Sequence, residues 1–359
     1  MRYLIVQDWS STHGNHAGMV HMCKLLCESY PNDYEVIIKP IPTDYSIRKY
    51  GIFGKLLNRF YYSLKRKKYE RIVYPNQYLT LCNNLFNKLK PDDEIFLLEY
   101  LIPWVSQYEL ACYIRSNYPD IKIYALSHFT VKLFKEIINS KENTVEKWAK
   151  PVTKLLTLGN SLSNYFESVG IPRNLISTGF HYVDSSYYKK DTDITISEKR
   201  LNIIVMGSLQ RDFKILSDVV RGCSDVNWII CKGRKNVDEY FKGLTNVDLK
   251  GYISETELKS LMDQSDVSLN ILEDTVGSNV ITTSMAMGLA IIVSDVGSIR
   301  DYCNESNAIF CSDKKSIIDG ISYLNNNREK LFQMRNESVR LSKRFSIKNV
   351  NLWFSSLSK

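Results

Sequence analysis

The sequence predicts an α/β protein of two similar halves, each a parallel sheet covered by helices on both faces. Three observations predict it. Short apolar runs alternate with helical patterns along nearly the whole chain. The runs are continuous and rich in Val, Ile and Leu, as strands buried on both faces are. The alternation breaks once, between His181 and Lys199, where HYVDSSYYKKDTDITISEK is polar and aperiodic, and then restarts. The length of 359 residues also exceeds the ~250–300 at which single cores stop growing.

Composition supports an ordinary globular chain. Hydrophobic residues are 44% and charged residues 24%, which excludes disordered and collagen-like classes. The N-terminal MRYLIVQDWSSTHGNH turns polar after Val6, too early for a signal-peptide core or a membrane span. No later run is long and uncharged enough to span a bilayer, so a cytosolic protein is expected. Eight scattered cysteines contain no CxxC pair. Cys23 and Cys27 stand four apart without a second pair or clustered His, and the thiols read as buried and reduced.

The first series of strands is Tyr3–Val6, Tyr34–Lys39, Glu94–Leu98, Lys122–Leu126 and Lys154–Leu158. The second is Leu201–Met206, Asn227–Cys231, Val247–Lys250, Val267–Asn270, Ala290–Val293 and Ala308–Cys311. Helical patterns between them include Ala17–Ser29, Tyr108–Asn117, Phe213–Gly222, Glu255–Gln264 and Lys315–Asn325. This divides the chain into a first domain (1–182), a linker (183–199) and a second domain from 200 onward. Ligands of open parallel sheets bind beyond the carboxyl ends of the strands, so the cleft between two such Rossmann-like halves is the expected site.

The net charge of +8 is uneven. Between Tyr45 and Lys90 stand eleven basic residues and one acid, a local +10, with ten Phe and Tyr. Phe53, Leu57, Phe60 and Leu64 fall on one helical face; Lys55, Arg59 and Arg66 fall on another, and Lys65, Lys67 and Lys68 extend the basic end. That is the pattern of an amphipathic helix at an anionic membrane surface. It equally fits a surface helix packed on its own core. A nucleic-acid patch fits less well, because no nucleic-acid motif accompanies it.

The segment from Asp266 to Tyr302 reads strand, acidic loop, Gly-Ser-Asn turn, helix, glycine, strand. Gly277 is expected to let backbone approach a ligand. The helix starting at Ser278 and Asn279 presents unpaired N–H groups and a positive dipole end, which favours an anion such as a diphosphate. Thr282, Thr283 and Ser284 follow one turn in as further hydroxyl donors.

TTSMAMGLAIIVSDVGSIRDY resembles the "EAMACGLPVVATDVGG" signature of the GT4-type retaining glycosyltransferases of GT-B fold, including those that build bacterial surface polysaccharides. IVMGSLQRDFKIL, LKGYISETELKSLMDQSDVSLN, LTLGNSLSNYFESVGIPRNLISTGFHYVD and KRFSIKNVNLW resemble further stretches of that family in the same order. The resemblance implies two Rossmann-like domains facing across a cleft. It closes the second domain at residue 342 and sends residues 343–359 back to the first domain as a terminal helix. It implies a nucleotide-diphosphate sugar as co-substrate, a glycan acceptor and no metal or other cofactor. With the basic window, it suggests a lipid-linked acceptor at the inner face of the cytoplasmic membrane. The family's paired glutamates fall on Thr275 and Thr283, with Glu273 and Asp274 beside the first. Its diphosphate-clamping Arg and Lys fall on Ser208 and Phe213, so Arg211 and Lys214 are expected to substitute, with Lys232 and Arg234 in reserve. His128, ending its strand, corresponds to a family His near the reacting centre. Gly14, Asn15, His16 and Gly18 correspond to the acceptor-side loop. Such chemistry needs fixed positive potential where the diphosphate departs. Asp191-Thr192-Asp193 looks like a metal-binding D-x-D but follows no buried strand, and reads as linker. His13, His16 and Glu99 are further cleft candidates. A degenerate homologue that only binds glycan is the alternative function.

Overall fold

The computed structural model describes residues 1–9, 15–40, 81–102, 105–138, 145–207 and 212–358. Most of the basic window, with Lys65, Arg66, Lys67 and Lys68, lies outside the described residues, as do His13, Gly14, Ser208 and Arg211.

The first lobe runs β1 (Arg2–Gln7), α1 (Met19–Ser29), β2 (Tyr34–Lys39), α2 (Asn83–Phe86), β3 (Glu94–Leu97), α3 (Gln107–Asn117), β4 (Lys122–Ser127), α4 (Val131–Ile138), α5 (Val145–Ala149), β5 (Lys154–Thr157), α6 (Asn160–Ser168) and β6 (Ile176–Thr178). Its sheet is parallel, in the order β2-β1-β3-β4-β5-β6. The second lobe runs β7 (Asn202–Met206), α7 (Phe213–Gly222), β8 (Asn227–Cys231), α8 (Asp238–Phe241), β9 (Val247–Lys250), α9 (Glu255–Asp263), β10 (Val267–Asn270), α10 (Asn279–Ala286), β11 (Ala290–Ser294) and β12 (Ala308–Cys311). Three helices close the chain: α11 (Lys314–Asn326), α12 (Arg328–Ser342) and α13 (Ile347–Ser356). The second sheet is also parallel, in the order β12-β11-β10-β7-β8-β9.

The two-residue period of a strand sorts the apolar runs into two cores per lobe. Tyr3 and Ile5 face one side with Ile95, Leu97, Ile123 and Leu155. Leu4 and Val6 face the other with Phe96, Tyr124, Leu156 and the inner residues of α1. Ile203 and Val205 likewise join Trp228, Leu269 and Ile292, whereas Ile204 and Met206 join Ile281, Met285 and Ile291. Strands covered on both faces have no polar side to show, which is why they read as unbroken apolar runs.

The terminal helix α13 packs on the first lobe. Phe354 is fully buried and stacks on Phe96 at 4.4 Å between centroids. Trp353 Nε1 donates to Ser177 Oγ at 2.9 Å, and Tyr34 donates its hydroxyl to Asn351 Oδ1 at 2.7 Å. Among the described residues no helix is long and apolar enough to cross a membrane. All eight cysteines are free.

The structure adds elements to the sequence reading. β6 is three residues long, too short for a periodic signal. α12 carries Arg335 on its buried side, where Nη1 reaches Asp266 Oδ1 at 2.6 Å and Nε donates to Gly288 O at 3.0 Å. The polar stretch after His181 has no helix or strand, yet it is not a solvated tether: Tyr182, Val183, Asp184 and Tyr188 are buried. Its tyrosines supply the apolar area that its composition seemed to lack.

Removing the α13 anchor tests this return. Phe354→Ala should cost about 3–5 kcal/mol. It should appear as a lower urea midpoint with an unchanged m-value.

Candidate active site

In each sheet the strand order reverses about the first strand: β1 lies between β2 and β3, and β7 between β8 and β10. Ligand crevices of open α/β sheets form at such switch points, because adjacent loops diverge there. Residues following β1, β4, β6, β9 and β10 meet across the gap between lobes. A cleft of about 340 Å³ opens there, lined by Asn15, Ala17, Tyr188, Gly207, Tyr252, Ser254, Glu255, Asn279, Val280 and Thr283, among others.

The start of α10 faces this cleft. Ser278 caps it, its Oγ accepting from Val280 N at 3.2 Å. Asn279 and Val280 line the opening, and Asn279 Nδ2 donates to Ala17 O across the gap at 2.6 Å. The preceding loop is self-fastened: Thr275 Oγ1 accepts from Gly277 N at 3.0 Å and donates to Gly277 O at 3.1 Å. Gly277 does have a positive φ of 96°, but the group that approaches it is the Tyr302 ring, which a Cβ would overlap. That packing by itself requires a residue without a side chain at this position. Thr283 lines the cleft and returns its hydroxyl proton to Asn279 O at 2.7 Å, so its lone pairs remain to accept. Thr282 is fully buried, its hydroxyl on Asn279 O at 3.2 Å, and does not line the cleft.

Below the α10 start lies a chain of polar groups rooted in a buried carboxylate. Glu99, with no exposed surface, accepts from Trp9 Nε1 at 3.0 Å on one oxygen and meets His128 Nε2 at 2.9 Å on the other. Gln107 holds it through the Glu99 N–H at 2.8 Å and is itself tied to Ile5 O at 3.1 Å. Burial pulls the His128 pKa down, but the charge and hydrogen bond of Glu99 together raise it above the ordinary value. His181 sits beside it and behaves oppositely. Burial and the neighbouring His128 charge pull it down to about 3, against a hydrogen bond with Asn279. One imidazole thus tends to be cationic while its neighbour is held neutral. His181 adjoins the start of α10 through Asn279.

The other expected residues are distributed as follows. Asn15 lines the cleft, and Gly18 is pressed by the Asn15 side chain. His16 N and Nδ1 both engage the Glu255 carboxylate at 2.8 Å, and Tyr188 donates to the same carboxylate at 2.6 Å. Glu273 pairs with Lys132, and Asp274 Oδ2 accepts from Lys132 N at 2.9 Å. These acids join the lobes at α4 and do not line the cleft. Lys214 is exposed on α7. Lys232 is paired with Asp238 six residues on. Arg234 covers the Tyr252 ring at 4.9 Å. Asp191 pairs with Lys259 at 2.8 Å.

Sequence reasoning missed His181, Tyr302, Glu255 and Tyr188. Tyr302 is buried between the lobes, where its hydroxyl donates to Leu158 O and accepts from His181 N at 2.9 Å. A histidine and three tyrosines inside a polar stretch were the available signal for His181 and Tyr188. A carboxylate opening α9 reads locally as no more than a favourable first-turn acid.

This architecture is the GT-B fold of glycosyltransferases. The second lobe, residues 201–327, matches the family model for Glycosyl transferases group 1. Among solved structures, the chain is similar to Alr3699/HepE of Anabaena in complex with UDP, at 14% identity and TM-score 0.66, covering 99% of both chains. It is similar to sucrose-phosphate synthase of Thermosynechococcus elongatus, at 11% identity and TM-score 0.73, covering 100% of this chain and 98% of that one. It is also similar to the lipopolysaccharide outer core galactosyltransferase WaaB, at 15% identity and TM-score 0.66, covering 99% of both. None of the curated proteins matches it in sequence.

Glu99→Gln should move the His128 titration from above 6.5 to below it, because burial then acts unopposed. Histidine NMR against pH reads this directly. In the unsubstituted protein the raised value makes this pair stabilising in full below the unfolded-state pKa. That contribution is lost as pH rises through the folded value.

Proposed function

We propose that this protein is a metal-independent retaining glycosyltransferase that moves a hexose-type sugar from a nucleotide-diphosphate donor to a glycan acceptor. The observation that carries this reading is the α10 start opening on a cleft between two switch points, beside an imidazole pair of opposite charge tendency. The GT-B fold and the match of the second lobe to a glycosyltransferase model support it. HepE, a fold neighbour, is described in complex with UDP-glucose. In this reading the nucleotide occupies the cleft by Tyr252 and Thr283, and Thr283 accepts from a ribose hydroxyl. The diphosphate meets the N-terminal end of α10, with Arg211 and Lys214 in place of the Arg and Lys that the family resemblance puts at Ser208 and Phe213. The bond from the anomeric carbon to the phosphate oxygen breaks and one to the acceptor oxygen forms on the same face. The acceptor proton leaves with the nucleoside diphosphate. His128, held by Glu99, stabilises the negative charge that develops on the leaving group.

We infer further that the acceptor is lipid-linked and belongs to bacterial surface-polysaccharide synthesis, with the protein cytoplasmic and peripheral to the membrane. The basic window supports this. Thr275 and Thr283, standing where the family resemblance places glutamates, favour a second reading as a binding-only homologue.

A nucleoside diphosphate at a hundred times its Kd should stabilise the protein by about 2.7 kcal/mol in thermal unfolding. No shift across the common bases would exclude the donor site. His128→Ala should lower kcat about 10²-fold while leaving nucleotide affinity near its starting value. A binding-only protein would show the stabilisation and no transfer to a crude lipid-linked acceptor. Replacing Lys65, Arg66, Lys67 and Lys68 by Gln should weaken binding to phosphatidylserine vesicles about 10³-fold, at ~1 kcal/mol per charge. Unchanged sedimentation with vesicles would remove the membrane from the reading.

A further inference from the structure

His16, His21 and Asp184 each offer a ligand atom, and these atoms lie within 4.8 Å of one another. They come from the loop after β1, the first turn of α1 and the segment after β6. His21 Nε2 stands 2.8 Å from Asp184 Oδ2, and the two imidazole rings meet edge to face at 4.5 Å. Two of the three groups are already oriented as metal ligands are. The His16 Nδ1 engages the Glu255 carboxylate at 2.8 Å, which leaves Nε2 as the ligating nitrogen. The Asp184 Oδ1 is held by Ser186 N at 3.1 Å, Ser186 Oγ at 2.6 Å and Tyr187 N at 3.3 Å, which leaves Oδ2. A histidine fixed by a carboxylate through its far nitrogen, and a carboxylate fixed through its far oxygen, are the outer-shell arrangement that tunes a metal centre. Tyr187 stacks flat on the His16 ring at 3.6 Å and limits its rotation.

We propose that His16, His21 and Asp184 form a binding site for a zinc-like divalent transition metal at the rim of the cleft, with Glu255 orienting His16 from the second lobe. Two imidazoles and one carboxylate select such an ion over magnesium or calcium, which require more oxygen ligands. Ligand bonds of about 2.0 Å in a tetrahedron put the ligand atoms ~3.3 Å apart, so the site forms by movements of about 1 Å. The fourth position is left to water. The ion takes the place of the direct contact between His21 Nε2 and Asp184 Oδ2. It ties α1 to the segment after β6 and, through Glu255, draws the second lobe to the first. Asn15 and Ala17 flank His16 in sequence, Glu255 holds it and Tyr188 shares that carboxylate, and all four line the cleft, so the metal sits against the wall of the cleft. The site makes no claim on the transfer step, and its test uses no transfer assay.

The full chain, stripped with a chelator, is dialysed against Zn²⁺ and, for its ligand-field absorption, Co²⁺. One ion per chain is expected, with a visible Co²⁺ band and a higher melting temperature. His21→Gln should weaken binding about 100-fold or more, and Glu255→Gln about tenfold, as loss of an outer-shell partner does. Cys27→Ser with Cys112→Ser, the two partly exposed thiols, should leave it unchanged. In the unsubstituted chain, saturating Zn²⁺ should protect both His16 and His21 from diethyl pyrocarbonate, read by peptide mass. This measurement stands even where a variant fails to fold. Absence of a stoichiometric ion, binding that survives His21→Gln but not the cysteine changes, or equal modification with and without Zn²⁺ would each overturn the proposal.

Discussion

The geometry of the cleft depends on the seating of Tyr302 between the lobes. Its ring occupies the space that Gly277 leaves by lacking a side chain. Its hydroxyl is buried and must be satisfied there, since an orphaned buried polar group costs about 1–3 kcal/mol. It is satisfied from the other lobe: it donates to Leu158 O and accepts from His181 N. Those bonds fix the backbone entering the segment after β6 against the loop that launches α10. His181 therefore stands beside Asn279 because Tyr302 stands where it does. The neighbouring clasp extends the same logic. Ser161 N donates to Ser298 Oγ at 2.8 Å, Asn160 Nδ2 reaches Asp301 Oδ1 at 2.9 Å, and Gly159 has no room for a Cβ against Ser298.

Much of the fold was legible because burial on both faces leaves an unmistakable signature. Asn227–Cys231, Val247–Lys250, Val267–Asn270 and Ala308–Cys311 are strands with the bounds their apolar runs suggest. What escaped was structure whose signal is not local. β6 is held by pairing with β5 and not by its own composition. α12 hides its apolar side behind Arg335, a charge that is buried because Asp266 and Gly288 O receive it. The segment after His181 looked like a tether because its buried tyrosines alternate with polar residues.

The site was legible in part, for a related reason. A sequence shows that Gly277 needs a special backbone or a close neighbour, but not whether that neighbour is a ligand or Tyr302. It shows a cation after β8, but not that Lys232 is paired with Asp238. It shows His128 at a strand end, but Glu99, His128, His181, Asn279 and Tyr302 come together only through topology. Their spacing along the chain carries no periodicity that reasoning could use.

The electrostatics of the cleft follow from this assembly. Among the described residues lining it, Glu255 is the charged one, and it is already engaged by His16 and Tyr188. The start of α10 brings its helix N–H groups to the cleft, and behind Asn279 stand His181, held neutral by burial, and His128, whose proton affinity Glu99 raises. Both imidazoles cannot be cationic at once so near each other in a buried place; the one with the carboxylate takes the proton. Glu99, itself without exposed surface, thus raises the proton affinity of the one imidazole it touches. Glu255 lines the cleft and at the same time joins the lobes, its carboxylate on α9 taking His16 N and Nδ1 from the loop after β1.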